Sequence, residues 1–467
     1  MGTDSFDVVV IGAGPGGYPA AIRSAQLGAR TAIVEREAWG GTCLNWGCIP
    51  TKAMIAAAAL ARTVRHASAM GVRADALSVD YAGLLAHKDR TVQRLAKGVR
   101  SLLQANGVEQ IEGQASFVTR DRLTVRGAEG TRWISGRRVI IATGSTSAMP
   151  PFVPRHPRVV DSRAFLDLQQ RPERLIVLGG GYIGCELACL AASLGSEVTI
   201  VELLDDVLLL LDTDVRAEVR RSMERELGIR ILCGRPAESI EAGQDGVRVR
   251  VGEWTVEGDC LLVATGRRPM TEGLCPERAG LVLDERGYLR ADAWNRTRVP
   301  GVYAIGDVNG GPQLAHAATS QGLVAAADAT GHRPRPNETL VPGVIFTQPE
   351  VALVGVTEAE ANRTNLCVKV GKFAFSALGR AIAGGEAAGF VKWIAEAESG
   401  RLVGAAAVGP HATDLISEAA LAILAELTVE EVGRTIHPHP TYGEIWMEAA
   451  HVVEGHPVHV APSRRRT

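Results

Sequence analysis

Two stretches of the chain repeat the same pattern of apolar residues, glycines and alanines. The first reads DVVVIGAGPGG at 7–17 and the second reads RLIVLGGGYIG at 174–184. A short apolar run that ends at glycines is typical of a buried strand, and the alanine-rich residues that follow favour a helix. After each helix a second apolar run, TAIVE or VTIVE, ends in an acid, at Glu35 and at Glu202. The pattern predicts two strand–helix–strand units.

The apolar pattern also predicts the elements around these units. Each unit closes on a similar strand and turn, VIIATGS at 139–145 and LLVATGRRP at 261–269. Elsewhere, helical and strand periods are separated by Gly-rich and Pro-rich breaks. The predicted elements are helices over 54–110, short strands over 115–140, a helix over 315–329, a linker at 332–343, and mixed strands and helices over 344–467.

Length and element order together predict an α/β fold. A chain of 467 residues suggests about three units of roughly 150 residues each. We expect two Rossmann-like dinucleotide-binding domains at 1–150 and 151–270. A central segment at 271–341 and a C-terminal α+β domain at 342–467 complete the predicted chain.

Composition and charge narrow the classes of partner. The 50 Lys and Arg residues nearly balance the 52 Asp and Glu residues, so no basic field predicts binding to nucleic acid or to an anionic membrane. No apolar run reaches the ~18 residues of a membrane helix. The first strand follows MGTDSF without a visible targeting segment. We therefore expect a cytoplasmic protein that acts on small molecules or protein-borne groups.

The glycines of the repeated motif suit a phosphate-binding turn. They fill the three positions of G-x-G-x-x-G in both units, namely Gly12, Gly14, Gly17, Gly179, Gly181 and Gly184. Glycine permits a tight turn and the close approach of the backbone to a pyrophosphate, whose charge faces the helix N-terminus. The acid lies 23 residues after the first glycine in both units, where a carboxylate binds a ribose. One such motif is a weak signal, but two in register predict two dinucleotide sites.

Two of the eight cysteines lie where redox chemistry is expected. Cys43 and Cys48 occur in GGTCLNWGCIPTK, and Lys52 follows Cys48 by four residues. A thiolate at the start of a helix is stabilised by the helix N-terminus, whereas on spacing alone the alternative is simple packing of two buried cysteines. Cys185 and Cys189 lie one helical turn apart without a nearby histidine or second pair. We expect close packing there and no metal site.

The segment GGTCLNWGCIPTK resembles the active-site signature of the pyridine nucleotide–disulfide oxidoreductases with the glutathione reductase fold. The first glycine motif, the ATG segments, YAIGD, FTQPEVALVGVTE and HPHPTYGE extend the resemblance along essentially the whole chain. It implies FAD in 1–150, completed by 271–341, and NAD in 151–270. It also implies a homodimer, formed through 342–467, whose active sites are shared between the subunits.

Within the family the chain is most similar to the dihydrolipoamide dehydrogenases. C-L-N-x-G-C-I-P-[ST]-K is their usual motif, and Asp205 and Asp206 after Glu202 would repel the 2′-phosphate of NADP. The resemblance implies oxidation of protein-bound dihydrolipoyl groups with reduction of NAD. The implied partner is a lipoyl-bearing acyltransferase or lipoyl carrier protein of a 2-oxoacid dehydrogenase or related complex. A glutathione reductase-like or mercuric reductase-like enzyme and a non-catalytic flavoprotein subunit are the alternatives.

The resemblance also assigns roles to individual residues. It implies that Cys43 exchanges with the substrate, that Cys48 lies against the flavin as a thiolate, and that Lys52, paired with Glu186, lies near the reactive flavin nitrogen. Tyr182 would cover the nicotinamide pocket, although core packing is the alternative role for its ring. The implied FAD ligands are Gly12, Gly14, Gly17, Glu35, Lys52, Gly144, Asp307 and Ala315, and the implied NAD ligands are Gly179, Gly181, Tyr182, Gly184, Glu202 and Gly266.

The segment HPHPTYGE resembles the acid–base motif of the family. The resemblance makes His439 the acid–base and Glu444 the residue that orients it. The spacing to Glu444 favours His439 over His437. Tyr442 and Gly443 stand where the family more often has Leu and Ser, which puts the substrate in question more than the mechanism.

Overall fold

Three large β-sheets organise the chain, and the structure, a computed structural model, describes residues 4–74, 76–337 and 340–461. Through residue 150 the elements are β1 (Asp4–Ile11), α1 (Gly17–Gln26), β2 (Thr31–Glu35), α2 (Gly41–Trp46), α3 (Cys48–His66), α4 (Tyr81–Ala105), β3 (Glu109–Glu112), β4 (Gln114–Thr119), β5 (Arg122–Gly127), β6 (Gly130–Ile141) and β7 (Ser145–Ser147).

The middle of the chain continues with short strands and four further helices. These elements are β8 (Val159–Asp161), α5 (Ser162–Leu166), β9 (Arg174–Leu178), α6 (Tyr182–Ser193), β10 (Glu197–Val201), α7 (Thr213–Arg225), β11 (Arg230–Leu232), β12 (Ser239–Gly243), β13 (Gly246–Val251), β14 (Trp254–Gly258), β15 (Cys260–Val263), β16 (Arg267–Pro269), β17 (Val302–Ala304) and α8 (Ala315–Ala329).

The C-terminal part alternates strands and helices. Its elements are β18 (Gly343–Ile345), β19 (Glu350–Gly355), α9 (Glu358–Arg363), β20 (Val368–Ala374), α10 (Gly379–Gly384), β21 (Phe390–Glu396), β22 (Leu402–Gly409), α11 (Ala412–Leu424), α12 (Val429–Arg434) and α13 (Glu444–Glu454). Short 3-10 helices lie at Ala67–Met70, Pro276–Ala279, Gly306–Asn309 and Phe375–Ala377.

The first apolar motif forms a central strand of the seven-stranded sheet. Strands β3, β2, β1 and β6 lie side by side and run parallel, and β17 adds a parallel strand along the end of β6. The beginning of β6 instead closes an antiparallel meander with β5 and β4. The apolar residues from Val8 to Ile11 are buried, as expected for a parallel strand that is covered on both faces.

The second apolar motif repeats this arrangement. Strand β9 lies inside a parallel five-stranded sheet in the order β11-β10-β9-β15-β8. Helix α6 follows β9 as α1 follows β1, and an antiparallel meander of β12, β13 and β14 lies beside the sheet. Parallel strands joined by helices are typical of dinucleotide-binding folds. The predicted α/β fold with two such units is confirmed.

The C-terminal sheet is antiparallel, in the order β18-β19-β22-β21-β20, and α11 and α13 pack against it. Trp393 of β21 and Trp446 of α13 are fully buried, with ring centroids 4.6 Å apart. The Trp393 indole N–H donates to the backbone oxygen of Trp446 at 2.9 Å. Because the buried N–H has a partner, the rings anchor the helix to the sheet without a desolvation penalty. The predicted α+β domain is confirmed.

A buried lysine joins the second unit to the C-terminal domain. Lys392 on β21 has no exposed side-chain surface, and its ammonium lies 2.7 Å from Asp212, 2.9 Å from Asp214 and 2.6 Å from Glu358. Asp212 and Asp214 lie at the start of α7 in the second unit. Because a buried charge that loses its partners is strongly destabilising, this cluster fixes the position of one domain against the other.

The predicted linker agrees with the structure where the structure describes it. Residues 332–337 and 340–342 form neither helix nor strand. Residues 338–339 lie outside the described residues, and Gly343, the last residue of the predicted linker, begins β18. No helix in the described part of the chain combines the length and the apolar character that crossing a membrane requires.

Candidate active site

A cavity of about 1620 Å³ opens between the two nucleotide units. Its wall includes the carboxyl ends of β1, β2, β9 and β10, which is the edge where parallel sheets bind ligands. The volume exceeds the roughly 300–1,000 Å³ of a typical small-molecule pocket, so the cavity has room for more than one ligand. The predicted site residues in its wall are Gly12, Gly14, Glu35, Cys43, Cys48, Lys52, Gly144, Gly179, Gly181, Tyr182, Glu186, Glu202, Gly266, Asp307 and Ala315.

The first glycine of each motif makes the turn out of the strand. Gly12 has φ +101° and Gly179 has φ +108°, a region that L-residues with side chains rarely adopt. A Cβ atom on Gly12 would lie 2.4 Å from the carbonyl oxygen of Ala142, and one on Gly179 would lie 2.5 Å from that of Ala264. Both alanines open the ATG segments, which explains why the glycine turns and the ATG turns occur together.

The other glycines of the motifs differ in the space around them. A Cβ atom on Gly17 or Gly184 would lie 1.8 Å or 2.0 Å from the carbonyl oxygen of the first glycine, so neither position can carry a side chain. The nearest heavy atom to a Cβ on Gly14 is 4.0 Å away, and nothing lies within 4 Å at Gly181. The second glycine therefore faces open cavity, where the bare backbone can approach a pyrophosphate.

The acids that follow the second strands are held against these turns by backbone N–H groups. One oxygen of Glu35 accepts from Ala13 at 2.7 Å, and the other accepts from Glu37 at 2.8 Å. Glu202 accepts from Gly180 at 2.5 Å in the same way. Both carboxylates are thereby fixed in the cavity wall, where they can accept hydrogen bonds from ribose hydroxyls. Two turns with two such acids fit two dinucleotides.

The two cysteines lie on either side of a helix break. Helix α2, which carries Cys43, ends at Trp46, and after Gly47 the long helix α3 begins at Cys48. A hydrogen bond from the Cys43 thiol lowers the pKa of Cys48, and the nearby Lys52 ammonium lowers it further. Donating that hydrogen bond, together with burial, raises the pKa of Cys43. These shifts favour Cys48 over Cys43 as the sulfur that ionises first, and the helix N-terminus at Cys48 also favours a thiolate.

An ion pair lies beside Cys48. Lys52 Nζ is 2.8 Å from Glu186 Oε2, and the other carboxylate oxygen of Glu186 accepts from the backbone N–H of Phe346 at 2.9 Å. The Lys52 ammonium also lies 4.3 Å from the centroid of the Phe346 ring. Phe346 opens the segment FTQPEV, which contributes to the family resemblance, but its contacts with the ion pair were not predicted from the sequence.

A second cluster fixes Asp307 in the wall of the same cavity. The Ser145 hydroxyl donates a short hydrogen bond to the Asp307 carboxylate, and Arg267 donates to the Ser145 hydroxyl at 2.7 Å and to the Ser145 carbonyl at 2.8 Å. Helix α8 begins nearby at Ala315. Sequence reasoning missed Ser145 and Arg267, although each lies one residue after an ATG segment.

Tyr182 lies at the border between the central cavity and the hydrophobic core, which are the two positions considered for its ring. It is the first residue of α6 and lines the central cavity. Its ring is partly buried and also packs against the hydrophobic core of the second unit. Burial raises the pKa of its hydroxyl. The position is compatible with covering a ligand pocket and with core packing.

The histidine–glutamate pair forms, but away from the cysteines of its own chain. His439 Nδ1 lies 2.8 Å from Glu444 Oε1, and the His439 side chain is 78% exposed. Burial opposes the charge of Glu444, but hydrogen bonds from the Thr441 N–H and from His439 outweigh it and lower the pKa of the carboxyl. Neither member of the pair belongs to the described lining of the cavity. The neighbouring His437 is bound instead to Glu418, at 2.8 Å.

The two departures from the family motif flank this pair. The Tyr442 hydroxyl donates to Glu386 at 2.8 Å, and the Arg380 guanidinium lies 5.4 Å from the centroid of its ring. Gly443 has no side chain beside the pair. These residues give the surface next to His439 a shape and charge different from those of Leu and Ser.

Comparison with known proteins agrees with this architecture. Residues 6–322 match the model of the pyridine nucleotide-disulphide oxidoreductase family, and residues 341–450 match its dimerisation domain. The dihydrolipoyl dehydrogenase of Chlamydia muridarum is 42% identical over 99% of this chain and 100% of its own length. That of Halobacterium salinarum is 44% identical over 97% of each chain.

Solved structures give the same result. LpdA from Mycobacterium tuberculosis superposes with a TM-score of 0.89 at 29% identity, covering 96% of this chain and 99% of that one. The HOCl-induced flavoprotein disulfide reductase RclA from Escherichia coli superposes with a TM-score of 0.87 at 29% identity, covering 96% and 100%. The chain belongs to the pyridine nucleotide-disulphide oxidoreductase family.

Proposed function

We propose that the chain is an FAD-dependent dihydrolipoyl dehydrogenase, which oxidises protein-bound dihydrolipoyl groups to lipoyl groups and reduces NAD⁺ to NADH. The observation that carries this proposal is that Cys43 and Cys48 lie in one cavity with two dinucleotide turns. Relatives named dihydrolipoyl dehydrogenase match nearly the whole chain at 40–44% identity, which supports the same assignment.

The cofactors follow the two turns. The turn of Gly12 and Gly14 in the domain 1–150, completed by 271–341, would hold FAD, and the turn of Gly179 and Gly181 in the domain 151–270 would hold NAD. When bound, the flavin would supply the two-electron redox chemistry that links the reduced cysteines to NAD⁺. The protein positions both dinucleotides. It also sets the pKa values of the two cysteines that receive the electrons of the substrate.

The cysteines perform the exchange with the substrate. A dihydrolipoyl thiolate attacks the sulfur of Cys43 in the Cys43–Cys48 disulfide, which forms a mixed disulfide and releases Cys48 as a thiolate. The second substrate thiolate then attacks the substrate sulfur of the mixed disulfide, so the lipoyl ring closes and Cys43 is released. Of the two substrate protons, one is taken by His439 and the other is left on Cys43. Two electrons have then moved from the dithiol to the cysteine pair.

The base reaches the cysteines across a homodimer formed through 342–467. The exposed His439 and its separation from the cavity of its own chain are compatible with a base that serves the partner subunit, and the match to a dimerisation domain supports the dimer. The further partner is a lipoyl-bearing acyltransferase or lipoyl carrier protein of a 2-oxoacid dehydrogenase or related complex. A cytoplasmic location stays a prediction.

Steady-state rates with a panel of substrates test the assignment. Purified enzyme is supplied with dihydrolipoamide and NAD⁺ in one direction, and with NADH or NADPH and lipoamide, glutathione disulfide or mercuric ion in the other. The proposal requires dihydrolipoamide and lipoamide to give the highest kcat/KM. A preference for another disulfide or for the metal ion would identify a sister reductase, and no turnover with any substrate would identify a non-catalytic flavoprotein.

The preference for NAD over NADP is expected to depend on Glu202. When NADP binds in place of NAD, the Glu202 carboxylate would lose its hydrogen bonds to the ribose and would repel the 2′-phosphate. Hydrogen bonds to a charged group contribute about 1.5–3 kcal/mol. Glu202→Gln is therefore expected to reduce the NAD/NADP ratio of kcat/KM at least about tenfold. Asp205→Asn measures the separate contribution of the neighbouring charge, and an unchanged ratio in Glu202→Gln would contradict the assignment.

Asp206 contributes less to this preference than the sequence indicated. Its carboxylate lies 3.2 Å from Arg216 and 2.9 Å from Arg220 of α7. The two guanidinium groups compensate its charge, so the repulsion that the sequence analysis assigned to Asp206 is largely cancelled. Discrimination against a 2′-phosphate therefore rests on Glu202 and Asp205.

A further inference from the structure

Phe346 connects the C-terminal domain to the ion pair beside Cys48. The residue follows β18, the first strand of that domain, and lines the central cavity. Its backbone N–H donates to one oxygen of Glu186 at 2.9 Å, while Lys52 binds the other oxygen at 2.8 Å. The Phe346 ring lies 4.3 Å from the Lys52 ammonium. One residue therefore contacts both members of the pair.

The ring and the carboxylate hold the ammonium together. The face of an aromatic ring carries negative charge density and attracts a cation within about 6 Å of its centroid. The side chains of Lys52 and Glu186 are only 29% and 11% exposed, so water screens these contacts less than it screens surface contacts. A lysine has a flexible stem, and the ring restricts it where the carboxylate alone would leave several rotamers accessible.

Lys52 is placed to act on Cys48. The two residues lie four positions apart in α3, so their side chains lie on the same face of the helix. The titratable groups around the Cys48 sulfur are Cys43 from α2, Lys52 from α3 and Glu186 from α6. Lys52 is the positive charge among these three, so its position decides how strongly charge stabilises a thiolate at Cys48.

We propose that Phe346 is a positioning residue, whose ring and backbone N–H hold the Lys52–Glu186 pair where the ammonium stabilises the Cys48 thiolate. The inference rests on the proposed function, which gives that thiolate its place beside the flavin. It also gives the C-terminal domain a role within its own chain, because the residue that follows its first strand holds the charged Lys52 beside Cys48.

The test follows the Cys48 thiolate by absorbance. Two-electron-reduced holoenzyme is titrated anaerobically with acid and base, and the long-wavelength charge-transfer band between thiolate and flavin gives the pKa of Cys48. Phe346→Leu removes the aromatic face and keeps an apolar side chain, and Phe346→Tyr keeps the face. Site-specific replacement of Phe346 by trifluorophenylalanine keeps the shape of the ring and weakens its negative face.

The expected result is an increase in the pKa of Cys48 by about half a unit in Phe346→Leu, a smaller increase with trifluorophenylalanine, and no change in Phe346→Tyr. Titration of the leucine and fluorinated variants at the unmodified value would overturn the proposal. So would an increase with leucine alone, because apolar packing would then explain it. A missing band in the unmodified enzyme would instead contradict the proposed function.

Discussion

Cys43→Ser is expected to abolish dihydrolipoamide oxidation while the flavin keeps its long-wavelength charge-transfer colour. A serine hydroxyl cannot form the mixed disulfide, so turnover is expected to fall below roughly a thousandth of the unmodified rate. Cys48 remains as a thiolate, because the serine hydroxyl can still donate a hydrogen bond to it, and Lys52 and the start of α3 still favour its charge. The measurement combines steady-state NADH formation with an absorbance spectrum of the same sample.

Cys48→Ser separates the roles of the two sulfurs. It is expected to abolish both turnover and the band, because the sulfur that we propose to lie beside the flavin is gone. Cys367→Ser is the control, since Cys367 is an exposed cysteine outside the cavity and its loss is expected to change neither. Near-normal activity in Cys43→Ser would show that the exchange sulfur has been assigned wrongly.

His439→Gln is expected to lower turnover by about 10²–10⁴-fold, the usual contribution of a general acid–base. Glutamine keeps a polar side chain of similar reach and can still contact Glu444, but it cannot take the substrate proton. His437→Gln is the matched control, because His437 lies two residues away and binds Glu418 instead. Equal losses in the two variants would mean that the segment, and not the base, had been damaged.

Mixed dimers test whether His439 serves the partner subunit. When Cys43→Ser and His439→Gln chains are co-expressed, a shared arrangement gives mixed dimers one site with both defects and one intact site. Random assembly makes about half of the dimers mixed, so about a quarter of the unmodified activity is expected to return. Purified mixed dimers with no more activity than either parent would contradict the cross-subunit base.

The parts of the fold that the sequence predicted are those governed by local chemistry. The repeated strand, glycine turn and helix is specified within a short window, because a Cβ on Gly17 or Gly184 would overlap the carbonyl oxygen of the first glycine. The helix predicted from Ala315 to Ala329 has the same bounds in the structure. In contrast, β20 was not located within the mixed strands and helices predicted over 344–467, since its bounds depend on pairing with β21.

The parts of the site that the sequence did not reveal depend on contacts between distant segments. Phe346 contacts Glu186 only because the C-terminal domain folds back onto the second unit. The compensation of Asp206 by Arg216 and Arg220 likewise requires the loop after β10 to pack against α7. The spacing of a motif indicates which residues lie on the same helix, strand or turn. It does not indicate which charged residues of different helices, strands and loops form ion pairs.

Anaerobic reduction of the purified flavoprotein by dihydrolipoamide tests the central claim most directly. The account predicts that one equivalent of the dithiol produces the long-wavelength charge-transfer band of Cys48 and the flavin, and that added NAD⁺ then removes the band as about one equivalent of NADH forms. Failure of dihydrolipoamide to produce the band, or a band that NAD⁺ leaves unchanged, would contradict an electron path from the dithiol through Cys43 and Cys48 to the two dinucleotides.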